Sequence, residues 1–304
     1  MDSILNLGTI LAPARAGGFA VGSFSPRYTK MIRPVILAAM AADSPAIVQI
    51  SQKELTRHGV DLEGFADEFF AACAELRPAV PLALHLDHTK DLEIIRRALA
   101  CGFSSVMIDA SEMNFEDNVA VTRQVVALAH AKAAGVEAEL GRIGTTDFVE
   151  TDTDEEQYTD PQQAKTFCEL TGVDALAVSV GTAHGVYTVR QPKIDYDRLA
   201  AINALTPTPL VLHGGSGVPS EMVVRAACLP SGGVAKVNIA TDLELAMLGA
   251  LGLAGHRTDA QLEGLGPEAL ESARAAVQNL VADRMEHYLL SAGKAARYPA
   301  EAGA

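Results

Sequence analysis

Eight short runs rich in β-branched and apolar residues recur along this chain, and stretches with helical periodicity lie between them. The runs are FAVGSF (19–24), AIVQIS (46–51), LALHL (82–86), SVMID (105–109), VEAEL (136–140), ALAVSV (175–180), PLVLH (209–213) and VAKVNI (234–239). Most are continuously apolar, as strands covered on both faces by helices must be. Helical periodicity is clearest over 61–76, 91–100 and 118–132. Parallel neighbours need a crossover, so strands alternating with helices predict a parallel sheet. Eight such units in 304 residues predict a single (β/α)8 TIM barrel over 1–304. A doubly wound open sheet is the alternative, but no G-x-G-x-x-G follows an early strand.

Two regions exceed a minimal barrel. One is 141–160, polar and carrying the acidic string TDTDEE. Long functional loops have this character, although an acidic run by itself reads as a solvated segment. The other is 243–265, followed by an extra C-terminal helical segment predicted from Pro267 to about Leu290.

Composition narrows the classes. Apolar residues make up 49% and charged residues 20%, which argues for a packed globular chain. The formal net charge is −14, which disfavours nonspecific binding to nucleic acid or an anionic membrane. No apolar run approaches ~18 residues, and the N-terminus lacks a basic segment before an apolar core, so a cytoplasmic, unprocessed protein is expected. Cys73, Cys101, Cys168 and Cys228 show no C-x-x-C spacing and read as reduced core thiols.

The polar residues gather at the C-terminal ends of the runs, the face on which barrel enzymes build their sites. The second run ends in Ser51, the third leads into Asp87 and His88, and the fourth ends in Asp109. The fifth carries Glu137 and Glu139. The sixth is followed by GTAHG with His184, the seventh ends in His213, and the eighth ends in Asn238 with Thr241 beyond. Three neutral imidazoles with an open position are a common catalytic zinc arrangement, and His88, His184 and His213 are its candidates. Any one histidine alone is more often a satisfied core or loop residue. His85 reads as interior; His58, His130, His256 and His287 read as surface. Asp87 suits either a general acid/base or a carboxylate that orients a ligand imidazole. HGGSG at 213–217 is the best anion site, because consecutive glycines turn backbone N–H groups toward an oxyanion and Ser216 adds a hydroxyl. A helix starting after Pro219 would add its dipole. Lys236, inside the eighth run, reads as structural or electrostatic.

The strings LHLDH, GFSSVMIDAS, VEAELGRIG, YTDP, GTAHG, LHGGSG and KVNIAT, in this order across most of 12–295, resemble the class II fructose-bisphosphate/tagatose-bisphosphate aldolases. The resemblance implies a (β/α)8 barrel, a homodimer or larger homo-oligomer, and one catalytic divalent metal, generally Zn2+. It implies His88, His184 and His213 as metal ligands, Glu139 as an alternative ligand, and Asp109 near the metal or at a second metal site. It assigns Asp87 to the proton of the hydroxyl at the cleaved bond and Asn238 to positioning the enediolate. Gly185, Gly214, Ser216 and Thr241 match the cradle for the phosphate of dihydroxyacetone phosphate, and a monovalent cation (Na+ or K+) near Gly185 and Gly214 is common in the family. The implied reaction cleaves a phosphorylated ketose to dihydroxyacetone phosphate and an aldehyde.

Three departures stand out. The family's loop after the fifth strand carries Gly-Gly-x-Glu, whose glutamate abstracts the proton; here the string is GTTDF, which offers Asp147 in register and Glu150 beyond it. Ser25 stands where the family has Asn, and SPRYTK, which it begins, replaces a milder segment. Ala240 replaces an aspartate. For a second phosphate, Ser51 matches a residue on that side, and Arg27, Lys53, Arg57 and Lys294 are candidate cations, each with an ordinary solvated role as the alternative. A zinc-dependent barrel hydrolase and a non-catalytic sugar-phosphate-binding paralogue are the competing readings.

Overall fold

The computed structural model describes residues 3–144, 157–185, 187, 191–230 and 232–298. Eight parallel strands close into a barrel in sequence order: β1 (Val21–Phe24), β2 (Ala46–Ser51), β3 (Leu82–Thr89), β4 (Ser105–Ile108), β5 (Gly135–Leu140), β6 (Ala175–Val178), β7 (Leu210–Leu212) and β8 (Val234–Ile239). β8 pairs with β1 to complete the ring, with Ser23 opposite Asn238. The predicted barrel and its eight strand positions are therefore present.

Helices surround the ring: α1 (Leu7–Gly17), α2 (Ile32–Ala41), α3 (Gln52–His58), α4 (Leu62–Leu76), α5 (Leu92–Ala100) and α6 (Phe115–His130) in the first half. The second half has α7 (Pro161–Thr171), α8 (Tyr196–Leu205), α9 (Ser220–Ala227), α10 (Thr241–Leu251), α11 (Asp259–Glu263) and α12 (Pro267–Asp283). Many begin at a side-chain cap. Asp61, Asp91, Asn114, Asp160 and Asp195 each accept from a backbone N–H of the first turn, which satisfies donors the helix leaves open. The expected C-terminal helical segment is α12, continued by a π-helical turn over Arg284–Tyr288. Among the described residues no helix is long and apolar enough to cross a membrane.

Two apolar layers form. The larger lies between the strands and the outer helices and includes Phe65, Phe69, Phe167 and Met285. The smaller fills the lower barrel with Val21, Ile47, Ala83, Met107, Ala177 and Val211. Leu7, Ile10 and Leu11 of α1 belong to this inner layer, so the first helix plugs the N-terminal base of the barrel. The Tyr298 hydroxyl donates to the Ile10 carbonyl at 2.7 Å and pins the plug from the other end of the chain.

The described residues correct several expectations. His58 is fully buried, because its ring stacks edge-on against Tyr28 and its Nδ1 lies 2.8 Å from the Arg257 carbonyl. Cys228 is exposed and Cys101 half-buried, so only Cys73 and Cys168 are core thiols. Lys294 follows a backbone bond from Gly293 to Ala42, which precedes β2, and so lies at the base, away from the mouth.

Candidate active site

Above the apolar plug the barrel interior turns polar. Ser23, Gln49, His85, Glu137 and Lys236 are buried there, one strand register below the mouth. Charges can sit this deep only if paired and hydrogen-bonded. Lys236 Nζ lies 2.8 Å from Glu137 Oε2 and donates to Asn238 Oδ1 at 2.7 Å. The other Glu137 oxygen is 2.8 Å from His213 Nε2. Lys236 and His213 together hold the Glu137 carboxyl below its usual range, although burial opposes this. His85 Nδ1 meets the Ser105 hydroxyl at 2.8 Å, and burial depresses its pKa. Its interior position agrees with the sequence.

Asp87 and His88 both reach the mouth, although consecutive strand residues ordinarily face opposite sides. The β3–β4 register shifts between Leu86 and Thr89, and His88 has φ +29°. A bulge with strained backbone re-aims a side chain in this way. Asp87 accepts from Gln49 Nε2 and from Asn238 Nδ2, each at 3.1 Å. Burial works against its charge, but His88, His85 and Lys236 hold it well below the normal carboxylate range.

The three candidate ligands converge. His88 Nε2 and His184 Nε2 are 3.2 Å apart, and the His88 and His213 rings have centroids separated by 4.4 Å. Nitrogens of His88, His184 and His213 lie within 4.8 Å of one another. Each outward nitrogen is accounted for on two of them. His88 Nδ1 is 3.0 Å from Asp109 Oδ2, and His213 Nε2 is bound to Glu137. Because carboxylates only accept, those nitrogens carry protons, which leaves His88 Nε2 and His213 Nδ1 as the nitrogens turned toward a metal. His213 Nδ1 is buried with no hydrogen-bond partner. An orphaned lone pair beside two converging imidazoles fits a tetrahedral zinc or similar divalent cation, with carboxylates fixing the tautomers.

The electrostatics agree. Burial disfavours a charged His88, yet Asp87, the Asp109 hydrogen bond and Glu139 raise its pKa to about 10. Burial and the His88 charge depress His184 and His213. The anionic surroundings thus draw one positive charge to the centre of the triad. Glu139 stands by, its Oε2 3.6 Å from His213 Nδ1 and 4.0 Å from His88 Nδ1, with a pKa raised by burial to about 8. His88, Asp109 and Glu139 form a second possible ligand group.

Gly185, Gly214, Ser216 and Thr241 meet on one side of a cavity of about 770 Å3 that also holds the histidines. Gly214 has φ +64°, and a Cβ there would lie 2.3 Å from the Ala183 carbonyl oxygen, so the loop after β7 needs glycine. α10 starts without a side-chain cap of its own; Ser216 Oγ accepts from Ala240 N at 3.2 Å and Asp242 N at 3.3 Å instead. Tyr187 and Tyr288 hold this loop through the Gly214 and Gly215 carbonyls, which sequence reading missed. Asp147 and Glu150 lie outside the described residues.

Ser51 caps α3 in a reciprocal box with Glu54. Arg27, a candidate cation for a second phosphate with a solvated role as the alternative, is largely covered: its Nε is 3.0 Å from Glu54, and its Nη1 contacts Glu244. Lys53 and Arg57 are exposed at the rim of the same cavity.

Fold and site together define an α/β barrel whose mouth brings a histidine triad beside the glycine-containing loop after β7. The chain belongs to the class II fructose-bisphosphate aldolase family, whose profile it matches over residues 5–294. It is similar to the YdjI aldolase from Escherichia coli K12, with 30% identity, a TM-score of 0.81, and 96% of this chain and 99% of that one covered. A putative fructose-1,6-biphosphate aldolase from Coccidioides immitis shares 31% identity at a TM-score of 0.79, covering 94% and 96%. Fructose-bisphosphate aldolase from Campylobacter jejuni, 23% identical with a TM-score of 0.74 over 94% and 95%, shares the fold.

Proposed function

We propose that this chain is a zinc-dependent aldolase that reversibly cleaves a ketose 1-phosphate or 1,6-bisphosphate to dihydroxyacetone phosphate and an aldehyde. The observation that carries the reading is the buried, unpartnered Nδ1 of His213 beside the close Nε2 pair of His88 and His184. His88 Nε2, His184 Nε2 and His213 Nδ1 would hold the metal, with Glu139 as an alternative ligand and Asp109 orienting His88. A zinc ion there supplies a Lewis acid for the negative charge that develops on the carbonyl and hydroxyl oxygens of dihydroxyacetone phosphate.

In the cleavage direction, Asp87 takes the hydroxyl proton of the aldehyde half as the carbon–carbon bond breaks. The bond electrons pass to the dihydroxyacetone phosphate half as an enediolate, and an acid from the 141–160 loop returns a proton to that carbon. Asp147 is the residue we assign to that step, with Glu150 as the alternative. The low pKa of Asp87 keeps it unprotonated and ready to accept. Asn238, held by Lys236 and Asp87, presents its amide to the enediolate. Backbone N–H groups around Gly185 and Gly214 and the Ser216 and Thr241 hydroxyls bind the phosphate beside the start of α10. Ser51 faces the aldehyde half.

The test is hydrogen exchange at the dihydroxyacetone phosphate carbon in D2O, followed by NMR, with cleavage assayed beside it. Chelation abolishes both and zinc restores both. Full activity in intact, metal-free protein overturns the proposal.

A further inference from the structure

We infer that Glu54 sets the aldehyde half of the mouth against a second phosphate, so that the substrate is a ketose 1-phosphate with an uncharged, hydroxylated far end. This rests on the aldolase reading above. Asp87 accepts from β2 through Gln49 and from β8 through Asn238, so the aldehyde oxygen it serves lies over that side of the barrel. The adjacent wall is the turn after β1, the start of α3 and the start of α10.

That wall is organised around one carboxylate. Glu54 Oε2 accepts from Ser25 Oγ at 2.7 Å, Ser51 N at 3.0 Å and Ser51 Oγ at 3.1 Å, and Oε1 accepts from Arg27 Nε at 3.0 Å. Ser25 and Arg27, both in a segment where the chain departs from its family, therefore meet at Glu54. A phosphate needs free donors, and the donors here are already engaged. The Ser51 oxygen also accepts from Glu54 N at 3.2 Å. Arg27 spends its remaining nitrogens on Glu244 and, at 3.3 Å, on Thr241 Oγ1. One guanidinium between two carboxylates leaves the wall net negative.

Arg27 is held by more than charge. It has φ +62°, a left-handed conformation costly for a non-glycine residue, and its side chain is 12% exposed. His58 packs behind this wall, its ring edge-on to Tyr28 and its Nδ1 donating to the Arg257 carbonyl. α3 thus turns Glu54 and His58 inward and leaves Lys53 and Arg57 exposed on an adjacent face. Salt screens those rim cations, whereas like charges brought together out of water discriminate strongly.

The experiment condenses dihydroxyacetone phosphate with D-glyceraldehyde or D-glyceraldehyde 3-phosphate, using the zinc-loaded full chain. Exchange of dihydroxyacetone phosphate hydrogens in D2O is measured separately. The unmodified protein is expected to favour the unphosphorylated aldehyde in kcat/KM by at least about tenfold, as a like-charge contact predicts. In Glu54→Gln the ratio moves about tenfold toward the phosphorylated aldehyde, mainly through KM. The ratio is the readout, because general damage to the variant lowers both rates together. Preference of the unmodified protein for the phosphorylated aldehyde overturns the inference, as does an unmoved ratio in Glu54→Gln. A preference for the phosphate that disappears in Lys53→Ala/Arg57→Ala would assign its recognition to the rim and also overturns it. Hydrogen exchange with neither aldehyde condensing defeats this inference alone; absence of exchange defeats the aldolase reading itself.

Discussion

His213 donates its Nε2–H to Glu137 at 2.8 Å, and Lys236 grips the same carboxylate at 2.8 Å, with all three side chains out of solvent. The pair fixes which His213 nitrogen faces the other two imidazoles. Glu137→Gln is therefore expected to weaken zinc affinity by about 10–100-fold. Competition against a chromogenic chelator measures it; an unchanged affinity would separate the interior ion pair from the metal site.

Removing the cation has a different consequence. Lys236→Met leaves Glu137 buried with its charge uncompensated and removes a donor from Asn238. The expected loss of stability is about 3–5 kcal/mol, read from denaturant unfolding of the metal-free protein.

Asp87 touches Gln49 and Asn238 and is outside the convergent nitrogen triad. Asp87→Asn should lower the rate of cleavage by about 10²–10⁴-fold, while bound zinc stays near one per chain by elemental analysis. Loss of the metal would instead make Asp87 a structural support of His88.

The metal-free protein should lose stability as pH rises from 7.5 to 8.5. His88 has a folded pKa of about 10 against an ordinary value of 6.5, so its stabilising protonation is complete below 6.5 and is lost as pH rises through 10. Glu139, raised to about 8, likewise binds more protons folded than unfolded across this range. Stability falls with pH wherever the folded state binds more protons. The depressed imidazoles of His85, His184 and His213 are neutral in both states here and do not reverse the sign. Thermal melts at the two pH values check this, and zinc should flatten the difference, because bound metal replaces the proton on His88.

Gly214→Ala forces a Cβ against the Ala183 carbonyl in a left-handed conformation. The cradle must shift, and kcat/KM for the ketose phosphate should fall by about 10²-fold. The far-UV circular dichroism spectrum, which reads the fold as a whole, should be unaltered.

The barrel was legible because its signal is local. β2 and β8 coincide with their apolar runs at 46–51 and 234–239, and the strand-end polar residues do gather at one mouth. What escaped was non-local. The burial of His58 depends on an Arg257 carbonyl 199 positions away, and nothing in QKELTRHG announces it. Glu137 meets Lys236 only because the ring closes. α1 is not legible because its apolar residues are separated by small ones and interrupted by Pro13, so no clear helical period stands out. The shared orientation of Asp87 and His88 needed a bulge, which spacing does not encode.

The plug has a further consequence for how the chain reaches this state. α1 precedes every strand in the chain, yet it packs against β8, β5 and β3, so the inner layer it completes is incomplete until the eighth strand arrives. Pairing across so much sequence is slow and leaves apolar surface open in the meantime. Burial of Leu7, Ile10 and Leu11 thus waits on closure of the ring, and the base of the barrel is the last part of the inner layer to be completed.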